Sequence, residues 1–119
     1  MRYINEINAF DRRMHRAPLS PIAQLLWYKL MQFSNRLHWP ADFQIDNKRL
    51  MAELNVSALR TLITARQELI ESGLLEFSPG VRGKPSTYRL ISVEAQEIPD
   101  IRWSDDDAPD AFMGEVRED

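Results

Sequence analysis

Apolar side chains return every three or four residues over the first third of the chain. Ile4, Ile7, Phe10 and Met14 keep helical spacing with Asn, Glu, Asp and Arg between them, which predicts an amphipathic helix over about residues 3–15. Pro18-Leu19-Ser20-Pro21 ends that helix and starts the next. Ser20 is placed as an N-cap, and Pro21 suits the first helical position, where its missing N–H is no loss. Ile22, Leu25, Leu26, Leu30 and Phe33 then share a face with Lys29 at its edge, predicting a helix over 21–36. His38-Trp39-Pro40-Ala41-Asp42 breaks the period, and Phe43-Gln44-Ile45 alternates as a short strand does. Asp46 or Asn47 can cap a third helix with Leu50, Met51 and Leu54 inward, closed by Asn55, a residue that tolerates the left-handed conformation. After an inward Val56 and a capping Ser57, Leu59, Leu62, Ile63, Leu69 and Ile70 mark a fourth helix stopped by Gly73. Leu74–Phe77 and Thr87–Ile91 read as strands joined by a basic loop, Ser78–Ser86, containing two Gly and two Pro. The order is helix, helix, small strand, helix, turn, helix, hairpin. The expected fold is therefore mainly α with a small β-hairpin, a winged helix-turn-helix.

Charge changes the picture. The chain of 119 residues has a formal net charge of −3 and a sequence pI near 5.4. Residues 1–94 hold 13 Lys+Arg against 9 Asp+Glu, whereas residues 95–119 hold 2 against 9. A body of net +4 is thus followed by a segment of net −7, so the average conceals a basic domain. The expected organisation is a winged-helix DNA-binding domain over 1–94 and an acidic, disordered tail over 95–119. Cys is absent, which removes disulfides, thiol catalysis and Cys-bearing metal sites. With no signal peptide or membrane span in the sequence, a soluble, cytoplasmic protein without membrane partners is expected.

A helix-turn-helix suggests where nucleic acid would lie. The fourth helix carries Ala58, Arg60, Thr61, Thr64, Ala65 and Gln67 away from its apolar face, and small residues there allow close approach to bases. Arg60 can reach guanine, while Thr61 and Thr64 can bond base edges or phosphates. Ser57 stands at the helix start, which favours a phosphate. Lys48 and Arg49 open the bracing helix and suit backbone contacts. Arg82 and Lys84 occupy the hairpin tip, where a wing meets phosphate or minor groove. Arg66, beside the inner face, is expected to pair with a carboxylate, and Trp27, Tyr28 and Trp39 to serve core or interface. The two histidines, His15 and His38, lack metal-ligand spacing, and Asp11 with His15 forms an ordinary i,i+4 surface pair. No phosphate loop or nucleophile elbow occurs, so neither catalysis nor any cofactor or metal is expected.

Several short motifs also carry a family resemblance. Tyr3-Ile4-x-x-Ile7-Asn8-Ala9-Phe10, the Pro-Leu-Ser-Pro helix start and Trp39-Pro40-x-x-Phe43 are followed by Ala65-Arg66-x-x-Leu69-x-x-x-Gly73-Leu74 and Tyr88-Arg89-Leu90. In this order, over about residues 1–92, they resemble the N-terminal winged-helix domain of replisome organisers from phages of Gram-positive bacteria, the DnaD-like replication proteins. The resemblance implies a role in starting DNA replication, by binding origin DNA or assembling the complex that leads to helicase loading. It also implies replication-initiation proteins as partners, and self-association, which bacterial members show through this domain. The turn at Asn55-Val56-Ser57 departs from the family pattern by one extra residue before Leu62. The family's proteins normally continue into a second, helical domain; here the expectation is a lone winged helix followed by an acidic tail.

The leading expectation is a phage or prophage replication-type protein that binds double-stranded DNA. Two other readings use the same fold: a protein-interaction winged helix acting as an oligomerisation scaffold, and a small transcriptional regulator. The apolar stripe of the first helix is expected to make at least partial contact with a second subunit. The acidic segment could serve as a linker, as a DNA mimic, or as a partner motif anchored by Trp103, Phe112 and Met113.

Overall fold

A computed structural model describes residues 2–97. Four helices, α1 (Tyr3–Arg16), α2 (Pro21–Arg36), α3 (Asn47–Leu54) and α4 (Leu59–Glu71), are joined to three strands, β1 (Phe43–Ile45), β2 (Leu75–Ser78) and β3 (Ser86–Leu90), with a 3₁₀ turn at Glu94–Gln96. The protein is mainly helical with a small antiparallel sheet in the order β1-β3-β2. Both strand edges of the hairpin lie one residue from expectation, at Leu75–Ser78 and Ser86–Leu90, and β1 pairs with β3 at Phe43↔Tyr88. The acidic-tail expectations, with Trp103, Phe112 and Met113, lie outside the described residues from 98 onward.

The helix starts and stops follow their sequence signals, with one exception. Ser20 Oγ accepts from the Ala23 amide at 3.3 Å, and Asp46 Oδ1 accepts from the Arg49 amide at 2.8 Å, each satisfying an orphan donor of a first turn. Asn55 closes α3 in the left-handed region at φ 56°. Ser57 does not cap α4: the N-cap is Ala58, without a side-chain bond, because the α3–α4 connection is one residue longer than a Ser57 cap requires.

One core runs through all these elements. Phe10 of α1 stacks on Trp27 of α2 with ring centroids 3.9 Å apart and planes 3° from parallel, and Tyr28 meets both rings edge-on. Phe10 and Trp27 are fully buried, so α1 spends its central apolar side chain on its own domain rather than on a second subunit. The centre of the α1 stripe is thus covered within its own domain. Its outer end does stay open, with Ile4 55% exposed. The burial of α4 also differs from the apolar pattern. Leu59 and Ile63 are 45% and 46% exposed, whereas Ala65 and Arg66 are buried. The inner arc is Leu62, Ala65, Arg66 and Leu69, spaced three and four apart, and Leu59 and Ile63 fall just outside it.

Residues 92–97 are bound to α1. Glu6 is buried, and its carboxylate accepts from Ser92 Oγ at 2.6 Å and from the Val93 amide at 2.7 Å. One turn and a half further on, Arg12 grips Glu97 with two bonds of 2.7 and 2.8 Å. Arg13 reaches Gln96 Oε1 at 3.2 Å and also donates to the Ser72 carbonyl, tying the same stretch to the end of α4. The packed chain therefore runs past residue 94. The guanidinium of Arg12 holds the Glu97 carboxyl below its ordinary range, chiefly by hydrogen bonding.

Two measurements check this packing. Phe10→Ala opens a cavity against Trp27 and should lower unfolding stability by about 3–5 kcal/mol in urea titrations. Because the folded-state pKa of Glu97 is depressed, its contribution is present above the ordinary glutamate value and lost as pH falls through the lowered one. The urea midpoint should thus fall on acidification below about pH 4.5, and Glu97→Gln should fall less steeply over that range.

Candidate nucleic-acid interface

The fourth helix is placed by a buried cation. Arg66 is only 7% exposed, yet no carboxylate meets it among the described residues. Its Nη1 donates to Tyr88 Oη at 2.9 Å and to Asn47 Oδ1 at 3.1 Å, and its guanidinium carbon lies 4.0 Å from the centre of the Phe77 ring. The expected carboxylate partner is replaced by a phenol, an amide and an aromatic face. This arrangement spreads the charge over neutral acceptors and a ring quadrupole. It also ties α4 at once to the start of α3 and to both hairpin strands. Burial pushes the Tyr88 phenol above its ordinary value, and the Arg66 bond opposes that shift.

With α4 fixed, its outer face is defined. Arg60, Thr64 and Gln67 are exposed at intervals of four and three, so they form one row along the helix. Gln67 donates to Glu71 Oε2 at 3.1 Å, which extends the row into an acidic end. Thr61 is half-buried beside it, and Ala65, expected on an outer face, is in the core. Ser57 is exposed just before the helix, whose first N–H groups receive no side-chain cap.

The hairpin loop folds back on itself. Lys84 N donates to Val81 O at 3.0 Å, Gly80 N donates to Ser86 Oγ at 3.3 Å, and Arg82 and Gly83 both take positive φ, 51° and 82°. A Cβ on Gly80 would stand 1.8 Å from the Lys84 carbonyl oxygen, so only glycine fits there. Val81, Arg82 and Lys84 are exposed at the tip.

Not all the candidate cations share this surface. Lys48, Arg60, Arg82 and Lys84 are exposed and form no ion pair among the described residues. Arg49 is differently employed. Its guanidinium lies 5.4 Å from the Phe33 ring centre, and its Nε is 3.9 Å from Glu53 Oε2, so it belongs to the junction of α2 and α3. Sequence reasoning missed that junction, and it missed Glu6 and Arg66 as buried polar anchors. The signal for Arg66 was its spacing, four residues after Leu62 and three before Leu69, which puts it on the buried arc.

Asp11 and His15 form the expected exposed pair, Nδ1 to Oδ2 3.9 Å, and Trp27 is core. Among the described residues, no group of three His, Cys, Asp or Glu side chains could hold a metal, and no helix is long and apolar enough to cross a membrane. Comparison with protein-family models, curated proteins and solved structures gives no match to this chain.

Replacing Arg66 tests the anchor. Arg66→Met keeps much of the packing but strips Tyr88 and Asn47 of their donor, and should cost about 2–4 kcal/mol in unfolding experiments. Arg66→Lys should recover only part of this, because an ammonium cannot lie flat on Phe77 while reaching two acceptors.

Proposed function

We propose that this chain is a winged helix-turn-helix that binds double-stranded DNA, with α3 and α4 as the helix pair and the β2–β3 hairpin as the wing. The observation that carries this reading is the outer row of α4. Arg60, Thr64 and Gln67 stand exposed on a helix whose N-terminal amides lack a side-chain cap and whose orientation Arg66 fixes against the hairpin. Such a row suits a major groove, with Arg60 on guanine and Thr61 or Thr64 on base edges or phosphates. Lys48 at the start of α3 and Arg82 and Lys84 at the hairpin tip supply phosphate contacts on either side.

A role in replication initiation rests on the resemblance to the DnaD-like domain, and with it initiation proteins as partners. The second reading, a protein-interaction module, draws on Leu59 and Ile63: two half-exposed aliphatic side chains one turn apart beside the polar row could face a partner chain as readily as thymine methyls.

Gel-shift and anisotropy measurements with a random duplex and with DNA flanking the chain's own gene separate these readings. With Lys48, Arg60, Arg82 and Lys84 each neutralising one phosphate, this surface contributes about −4 to the log–log salt slope. Arg82→Ala with Lys84→Ala should flatten the slope by about 2 and weaken all sequences alike. Arg60→Ala should cost about 1–3 kcal/mol on the preferred sequence and relax discrimination. Normal binding by both variants would transfer the helix to the protein-interaction reading, in which Ile63→Asp disrupts association seen by light scattering.

A further inference from the structure

A second cluster of positive charge lies on the α2–α3 side of the bundle. Lys29, Gln32, Phe33 and Arg36 of α2 face Arg49 and Glu53 of α3 across a shallow cleft, and no residue of α4 or the hairpin lines it. Two guanidiniums rest near one ring: the Arg36 and Arg49 carbons are 5.6 and 5.4 Å from the Phe33 centre. An arginine on an aromatic ring loses little freedom when it binds, and its N–H edges stay available to a flat or tetrahedral anion. The single carboxylate is shared at long range, with Lys29 Nζ 3.6 Å and Arg49 Nε 3.9 Å from the oxygens of Glu53. Arg36 makes no ion pair among the described residues. Three cations against one anion leave the cleft with uncompensated positive charge.

The shape narrows the ligand. The cleft is shallow and encloses about 10 Å³, room for about one water, so a ligand lies across it rather than inside it. A row of phosphate oxygens needs only surface charge. Lys29 and Arg36 are seven residues apart on α2, about 10 Å along its axis, which matches roughly three nucleotide steps of a duplex strand.

We propose that this cleft is a second nucleic-acid site, gripping the sugar–phosphate backbone through Lys29, Arg36 and Arg49 without reading bases. The domain then has two separate DNA-contacting surfaces, one on α4 and the hairpin and one on α2 and α3. The proposal goes beyond the α4 reading and stands or falls apart from it.

Anisotropy titrations of a fluorescent random duplex with the full chain test it. The variant Lys48→Ala/Arg60→Ala/Arg82→Ala/Lys84→Ala should keep weak, sequence-independent binding with a salt slope of about −3. Adding Lys29→Ala/Arg36→Ala/Arg49→Ala should remove it, lowering affinity at least tenfold at about 50 mM salt while circular dichroism stays unchanged. Glu53→Gln, which deletes the cleft's only carboxylate, should act in reverse, tightening binding several-fold and steepening the slope by up to about 1. Unchanged affinity and slope in both cleft variants would overturn the proposal, even with the α4 surface active. Loss of binding on Lys29→Ala/Arg36→Ala/Arg49→Ala with α4 and the hairpin intact, while the α4 and hairpin substitutions leave binding unchanged, would uphold it and defeat the α4 reading. Polyglutamate displacing the duplex as well as heparin does, at equal charge, would assign the cleft to acidic polypeptides and also overturn the proposal.

Discussion

Arg66 is the constraint on which the candidate surface depends. Beyond the apolar packing of Leu62, Ala65 and Leu69, one guanidinium joins helix and sheet, bonding the Tyr88 phenol of β3 and the Asn47 amide of α3 while lying over Phe77 of β2. The neutral partners matter. A buried Arg–carboxylate pair would have to compensate two desolvated charges, whereas Arg66 leaves one charge buried and spreads its field over a ring and two dipoles. The geometry is demanding because the fork is planar, so α4 has little room to roll without losing a bond.

The sheet is built to receive that anchor. Phe43, Tyr88 and Phe77 are cross-strand partners in one rank, with ring centres 6.1 and 5.2 Å apart, and Phe33 of α2 adds a fourth ring 5.5 Å from Phe43. Aromatic neighbours across a pleat contribute beyond their buried area and resist sliding of one strand past another. The register that sets the hairpin tip is thus fixed by the same rings that hold Arg66. A second aromatic group, Phe10 with Trp27 and Tyr28, secures α1 on the far side of α2. The two guanidiniums of the α2–α3 cleft, Arg36 and Arg49, lie against Phe33, the α2 ring of this group.

Much of this was legible in the residues. The range of α2, the β1 strand, the Ser20 and Asp46 caps and the left-handed Asn55 follow from local chemistry that needs no distant partner. What escaped was polar burial. Glu6 and Arg66 look like surface charges by type, and only the tertiary arrangement supplies the Ser92, Val93 and Tyr88 groups that satisfy them. Conversely, Leu59 and Ile63 look like core, yet the inner arc of α4 is already filled by Leu62, Ala65, Arg66 and Leu69. The position of Arg49 at a helix start says nothing of the neighbouring Phe33 that holds it on the α2 side. The placement of the Arg60 row and of Arg82 and Lys84 on exposed backbone could be anticipated, because helix period and turn residues are local signals.

The clasp between α1 and residues 92–97 has a mechanical consequence. Its contacts run in the same sense along both segments: Glu6 meets Ser92 and Val93, and Arg12 and Arg13 meet Glu97 and Gln96 further along each. A pull on the start of α1 and on the chain beyond Glu97 would therefore load these bonds side by side, in shear, rather than peel them open one after another. Tension transmitted through the two ends would meet its resistance at this seam, and the helices and sheet behind it would carry little strain until several bonds failed together.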